Sequence, residues 1–113
     1  MKARTIVVIL VIIIFAGAIA VAVQNQGAKY IKIDGGKKGV VDFPHHLHQN
    51  VLGDCNACHD IFPKTAGIIK ALKKQKKLKK KQVMNKKCVK CHKEKKKAGK
   101  KAGPTKCSQC HVK

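Results

Sequence analysis

Six cysteines stand in three identical frames: Cys55-Asn56-Ala57-Cys58-His59, Cys88-Val89-Lys90-Cys91-His92 and Cys107-Ser108-Gln109-Cys110-His111. Two thiols three positions apart, followed at once by an imidazole, suit the covalent attachment of a c-type haem. The thiols add across the two vinyl groups of the porphyrin as thioethers, and the adjacent histidine is held beneath the ring with Nε2 directed at the iron. The chain has six histidines in 113 residues, and chance would place one after all three pairs in roughly one sequence in 10⁴ if the motif meant nothing. Other uses of paired cysteines fit less well. A structural disulfide across two residues is strained and has no need of the histidine. Zinc takes such pairs two at a time, which leaves one over, and does not call for histidine directly after the second cysteine. A thioredoxin-type redox pair would occur once, inside a βαβ frame that this sequence lacks. The expected cofactors are therefore three c-type haems, each with iron bound by one of His59, His92 and His111.

The elements that must position these groups have little apolar material to work with. From Gln24 to the C-terminus, Ile, Val, Leu, Phe and Tyr occur only 18 times in 90 residues, and the chain has no Trp. That is too few for an ordinary packed core, so three porphyrins are expected to serve as its centre and the unloaded chain is expected not to fold. Two β-rich runs, Tyr30 to Ile33 and Gly39 to Phe43, flank Asp34-Gly35-Gly36 and read as a hairpin. Only this hairpin looks like sheet. One helical candidate covers Thr65 to Val83, where Ile68, Ile69, Leu72 and Leu78 recur among lysines on a rough helical period. The lysine-rich stretches Lys70 to Lys81 and Lys93 to Lys101 read as solvated, partly disordered loop.

Thr5 to Val23 is an uncharged apolar run preceded by Lys2 and Arg4. It reads either as a secretory signal peptide, with Ala-x-Ala sites at Ala18–Ala20 or Ala20–Ala22, or as an uncleaved anchor, since 19 residues at about 1.5 Å each approach the thickness of a bilayer. Both place the rest of the chain outside the cytoplasm. The sequence thus divides into a signal peptide or membrane anchor over 1–23 and a haem-binding domain over 24–113.

Val41 to His59 (VDFPHHLHQNVLGDCNACH), Asn85 to Glu94 (NKKCVKCHKE) and Gly103 to His111 (GPTKCSQCH) resemble the triheme class III cytochromes c, the cytochrome c7 group. The resemblance covers nearly all of residues 24–113, with longer lysine-filled segments on either side of the second frame. It implies a small, mostly irregular and helical fold with a short N-terminal β-hairpin, wrapped around three haems and preceded by one apolar helix. It also implies the second axial ligands. His45 would pair with His59 on the first haem, and His48 with His92 on the second. His46 would be left as an exposed spare, because neighbours in a helical or extended turn point apart. The family's last distal ligand is a histidine four residues before the second frame, and that position holds Met84. A thioether is an accepted axial ligand that raises the reduction potential relative to imidazole. The expectation is accordingly a third haem held by His111 and Met84.

Against 26 Lys and Arg stand only 5 Asp and Glu, a formal net charge of +21. Without Lys2 and Arg4, 24 lysines against the same 5 acids leave +19. Three ferric haems with ionised propionates, about −1 each, reduce this to roughly +16. Nucleic acid is an unsuitable target for an exported chain with almost no aromatic residues to stack bases. Anionic head groups of the inner membrane, redox proteins with acidic patches, anionic quinones and metal species suit the charge and the resemblance. The reading is a periplasmic carrier of single electrons between inner-membrane donors and such acceptors, with no catalytic residues. The competing readings are a small haem reductase or peroxidase with an open site at the third haem, and a non-redox cationic adaptor holding zinc.

Overall fold

The computed structural model describes residues 24–79 and 81–113. The signal or anchor expected over residues 1–23 lies outside the described residues. Among the described residues no helix is long and apolar enough to cross a membrane.

Strands β1 (Tyr30–Asp34) and β2 (Val40–Pro44) form the hairpin, in antiparallel register from Tyr30↔Pro44 to Asp34↔Val40. Their connection is a single 3₁₀ turn, Gly36–Lys38. Asp34 Oδ1 accepts from the Gly36 amide at 2.8 Å, an Asx turn that starts the reversal. Gly36 and Gly39 then adopt φ of 60° and 97°, which residues with a Cβ avoid. The sheet has a third strand that the sequence reading did not anticipate. β3 (His111–Val112) pairs antiparallel with β2 through Val40↔Val112 and Val41↔His111. Two residues are too short to show a period of alternation.

Helix α1 (His45–Leu52) follows β2 directly and stops at Gly53, in the left-handed conformation at φ 62° with its amide on Gln49 O at 2.9 Å. Such a C-terminal glycine satisfies a carbonyl that the helix itself leaves open. The first Cys-x-x-Cys-His frame winds into the single turn α2 (Asn56–His59). The expected helix over Thr65 to Val83 is shorter: α3 spans Ile68–Lys74 only. Lys77 and Leu78 both donate to Leu72 O, and Lys76 takes φ 58°, so the chain turns back and buries Leu78. The apolar spacing was legible, but burial of Leu78 is served by a reversal and not by further helix.

A π-helical turn over Met84–Cys88 leads into α4 (Val89–Lys97). The lysines at 93–97, expected as loop, are therefore helical, as are those at 70–74. Lysine has good intrinsic helix propensity, and the second frame at the start of α4 supplies the anchored turn from which the helix extends. The short helix α5 (Cys107–Cys110) carries the third frame into β3. Only Phe62 and Leu78 are buried hydrophobic side chains among the described residues, while Tyr30, Leu47, Val51 and Val112 are more than half exposed. The scarcity of core predicted from composition is a property of the folded chain.

Candidate functional site

Five histidines share one pattern of hydrogen bonding. His59 Nδ1 donates to Phe62 O at 2.6 Å, His92 Nδ1 to Pro104 O at 2.7 Å and His111 Nδ1 to Gly39 O at 3.1 Å. His45 Nδ1 donates to Ala28 O at 3.1 Å and His48 Nδ1 to Pro44 O at 2.9 Å. A carbonyl at Nδ1 selects the tautomer with a bare Nε2 and fixes the plane of the ring, the usual outer support of a metal-binding imidazole. His46 does the reverse, donating from Nε2 to Gly27 O at 2.9 Å. His45 Nε2 has Gln49 Nε2 at 3.3 Å, while that amide also donates to Gln26 O at 2.8 Å.

The rings also pair. His45 and His59 have centroids 6.3 Å apart, edge to face, and His48 and His92 have centroids 6.2 Å apart at 30°. A metal bound by two opposed imidazoles needs about 2 Å per metal–nitrogen bond plus about 1.2 Å from each nitrogen to its ring centre, roughly 6.4 Å in all. The spacing lies in the ordinary range of aromatic pairs, and His45 and His46 are also 6.2 Å apart. What distinguishes these two pairs is that each sets a histidine of α1 against the histidine of a Cys-x-x-Cys-His frame at a separation compatible with a shared iron. α1 makes both pairs possible because positions three apart in a helix are neighbours. Phe43 packs on His48 with ring centroids 4.4 Å apart, which restrains that ring.

His111 stands outside these ring pairs. Its Nδ1 bond to Gly39 and its place in β3 tie the third frame to the N-terminal hairpin. Gly35 is needed there, because a Cβ would collide with Gly39 O and with Nδ1 of His111. Met84 is half-buried and opens the π-helical turn four residues before Cys88. The described contacts do not bring Met84 and His111 together.

The six cysteines form no disulfide; Cys55 and Cys107 are exposed and the others half-buried. Burial pushes the thiols of Cys58, Cys88 and Cys110 above their ordinary range, and the proximity of Cys58 and Cys110 pushes Cys88 the same way. At Cys58 the Lys87 ammonium opposes the effect of burial. Contacts between segments bring the frames near one another: Lys87 beside the second frame reaches Ala57 O in the first, and His92 donates to Pro104 O just ahead of the third. Among the described residues no three His, Cys, Asp or Glu groups gather as they would around a bare metal ion. Paired thiols with opposed, Nε2-bare imidazoles fit haem, which brings four equatorial nitrogens of its own. Sequence reasoning missed the carbonyls of Ala28, Gly39, Pro44, Phe62 and Pro104, since a backbone acceptor has no residue-type signal.

The pattern of the Class III cytochrome C family matches residues 19–111. A cytochrome c7 of Geobacter metallireducens is 42% identical over 77 residues, which are 68% of this chain and 69% of that protein. A cytochrome c3 of Desulfuromonas acetoxidans is 38% identical over 77 residues, covering 68% and 88% of the two chains. The solution structure of the triheme cytochrome PpcA from Geobacter sulfurreducens is similar at a TM-score of 0.55 and 35% identity, over 76% of this chain and all of that one. The cytochrome c7 PpcC of the same organism is similar at a TM-score of 0.54 and 31% identity, over 76% and 99%.

Proposed function

The chain belongs to the class III cytochrome c family and is an electron-transfer protein with three c-type haems, not an enzyme, and from that premise we propose where it works, what holds each haem and what it meets. Cys55 and Cys58 attach the first haem, Cys88 and Cys91 the second, and Cys107 and Cys110 the third. His45 with His59 and His48 with His92 would hold the first two irons, each pair through its unprotonated Nε2 atoms. His111 and Met84 would hold the third. When bound, each haem takes up and returns one electron at a potential set by its axial ligands and surroundings.

The observation that carries this reading is the pair of imidazole spacings, 6.3 and 6.2 Å, between rings whose Nδ1 atoms are already engaged. The carbonyl bonds orient the rings in advance, so little side-chain freedom remains to be lost when iron binds. Met84 is the one methionine beyond the first residue, and His46 is committed to Gly27. Softness of the donor and the family's ligand position favour Met84 for the remaining site. The protein works in the periplasm, either freed from residues 1–23 or tethered by them to the inner membrane. It passes electrons between inner-membrane donors and anionic acceptors, redox proteins with acidic patches, quinones or metal species, which its lysines attract.

Expression in a host that attaches c-type haem tests this directly. A denaturing gel stained for haem and an intact mass should report three haems per chain, and a reductive titration should consume three electrons with every iron low-spin. Fewer than three haems would refute the cysteine assignment. A high-spin fraction that binds carbon monoxide rapidly would refute the axial one.

A further inference from the structure

Lys87 differs from the other lysines in its surroundings. Its side chain is 18% exposed, whereas Lys32 and Lys90, which also pair with carboxylates, are 81% and 61% exposed. The ammonium donates to Ala57 O at 2.8 Å and lies 2.7 and 2.8 Å from the two oxygens of Asp60. Two of its protons thus have acceptors, Ala57 O and Asp60 Oδ2, and both acceptors belong to the first haem-binding segment. Ala57 lies between Cys55 and Cys58, and Asp60 follows His59 directly. The backbone of Lys87 ends the π-helical turn beside Cys88. One side chain joins the first Cys-x-x-Cys-His frame to the entry of the second.

We propose that Lys87 is a positioning residue that pins the first haem-attachment loop against the second, and that with Asp60 it holds a balanced pair of charges beside the first haem. The other lysine contacts do not join two haem frames. Lys32–Asp42 bridges exposed positions of the hairpin, Lys90–Glu94 lies along one helix face, and Lys73 reaches Asp34 O at 3.2 Å. Exposed pairs of that kind contribute little. The Lys87 ammonium is different: it is largely shielded from water while Asp60 is about half exposed, so removing Asp60 strands a poorly solvated cation, and removing Lys87 leaves the carboxylate without its counter-charge beside His59.

The inference rests on the reading that both frames carry haem, and haem counting by mass tests that reading separately. The decisive experiment compares the full chain with Lys87→Met, Lys87→Arg and Asp60→Asn, all loaded with haem, in redox titrations followed haem by haem by NMR. Lys87→Met leaves a lone carboxylate next to His59, which favours ferric iron. The first haem should lose about tenfold in its electron equilibrium relative to the third, the size expected of one unpaired charge roughly 12 Å away at an effective dielectric of about 20. Asp60→Asn should shift the same equilibrium in the opposite direction by a similar factor. Lys87→Arg should stay close to the parent. Unchanged titrations in both charge variants, or equal shifts of all three haems, would overturn the proposal. Should Lys87→Met fail to retain three haems, Asp60→Asn decides: an unmoved first haem overturns it, and a selective rise supports it.

Discussion

His45 and His46 are adjacent residues of the same type, yet their rings are committed in opposite senses. His45 gives its Nδ1 proton to Ala28 and leaves Nε2 as an unprotonated nitrogen toward Gln49, while His46 uses Nε2 on Gly27. Removing His46 should leave three low-spin irons. His48→Ala, which removes the ring opposite His92, should turn about one third of the iron high-spin by electron paramagnetic resonance, with His46 unable to replace it because its side chain points away. At position 84 the expected outcome follows from donor chemistry. Ferric protein should show the long-wavelength methionine-to-iron absorption band, and Met84→His should abolish it and lower the potential of one haem only, since imidazole favours the ferrous state less than thioether does. An unchanged spectrum in that variant would remove Met84 from the site.

At the scale of elements, the frames are held by segments remote in sequence. Pro104 O orients His92, and a Cβ on the neighbouring Gly103 would come within 2.8 Å of Nε2 and 3.1 Å of Nδ1 of that ring. Gly103→Ala should therefore displace the second haem's ligand, with a cost of about 1–3 kcal/mol typical of overpacking, visible as a changed resonance signal of one iron and a lower thermal midpoint. Gly53 provides the contrast. It ends α1 at φ 62° with open space around it, so Gly53→Ala should cost about 1 kcal/mol through the backbone alone and leave all three haem signals in place. The hairpin similarly reaches across the chain. Gly39 O accepts from His111, and β3 adds the C-terminal frame to the sheet.

For the molecule as a whole, charge and core are complementary deficits. Burying Phe62 and Leu78 contributes about 1.5–3 kcal/mol each, far short of the conformational entropy lost in ordering the chain. Protein made without haem attachment should give a far-ultraviolet spectrum without cooperative thermal unfolding, and the loaded form a sharp transition. The cationic surface has a measurable kinetic consequence. Reduction of a sulfonated anthraquinone by the loaded protein should slow by about tenfold or more between low salt and 0.5 M salt, where a field of this size is screened. A rate indifferent to salt would mean that the lysines do not steer the encounter.

The sequence by itself determined the cofactor and its number, and singled out the cysteines proposed to attach it, because attachment chemistry demands fixed residue types at fixed short spacing. It also made the hairpin legible, through β-branched runs on either side of an Asp-Gly-Gly turn, and the lack of a conventional core. The extent of the helices was less accessible. Lysine at 93–97 is as compatible with solvated loop as with the helix that the second frame extends, and the reversal at Leu78 depends on what that side chain can reach. The third strand, the carbonyls at Nδ1, the Gly27 partner of His46 and the Lys87 clamp were decided only in three dimensions. Each rests on a backbone oxygen or a contact between distant segments, and neither leaves a periodic or compositional trace in the chain.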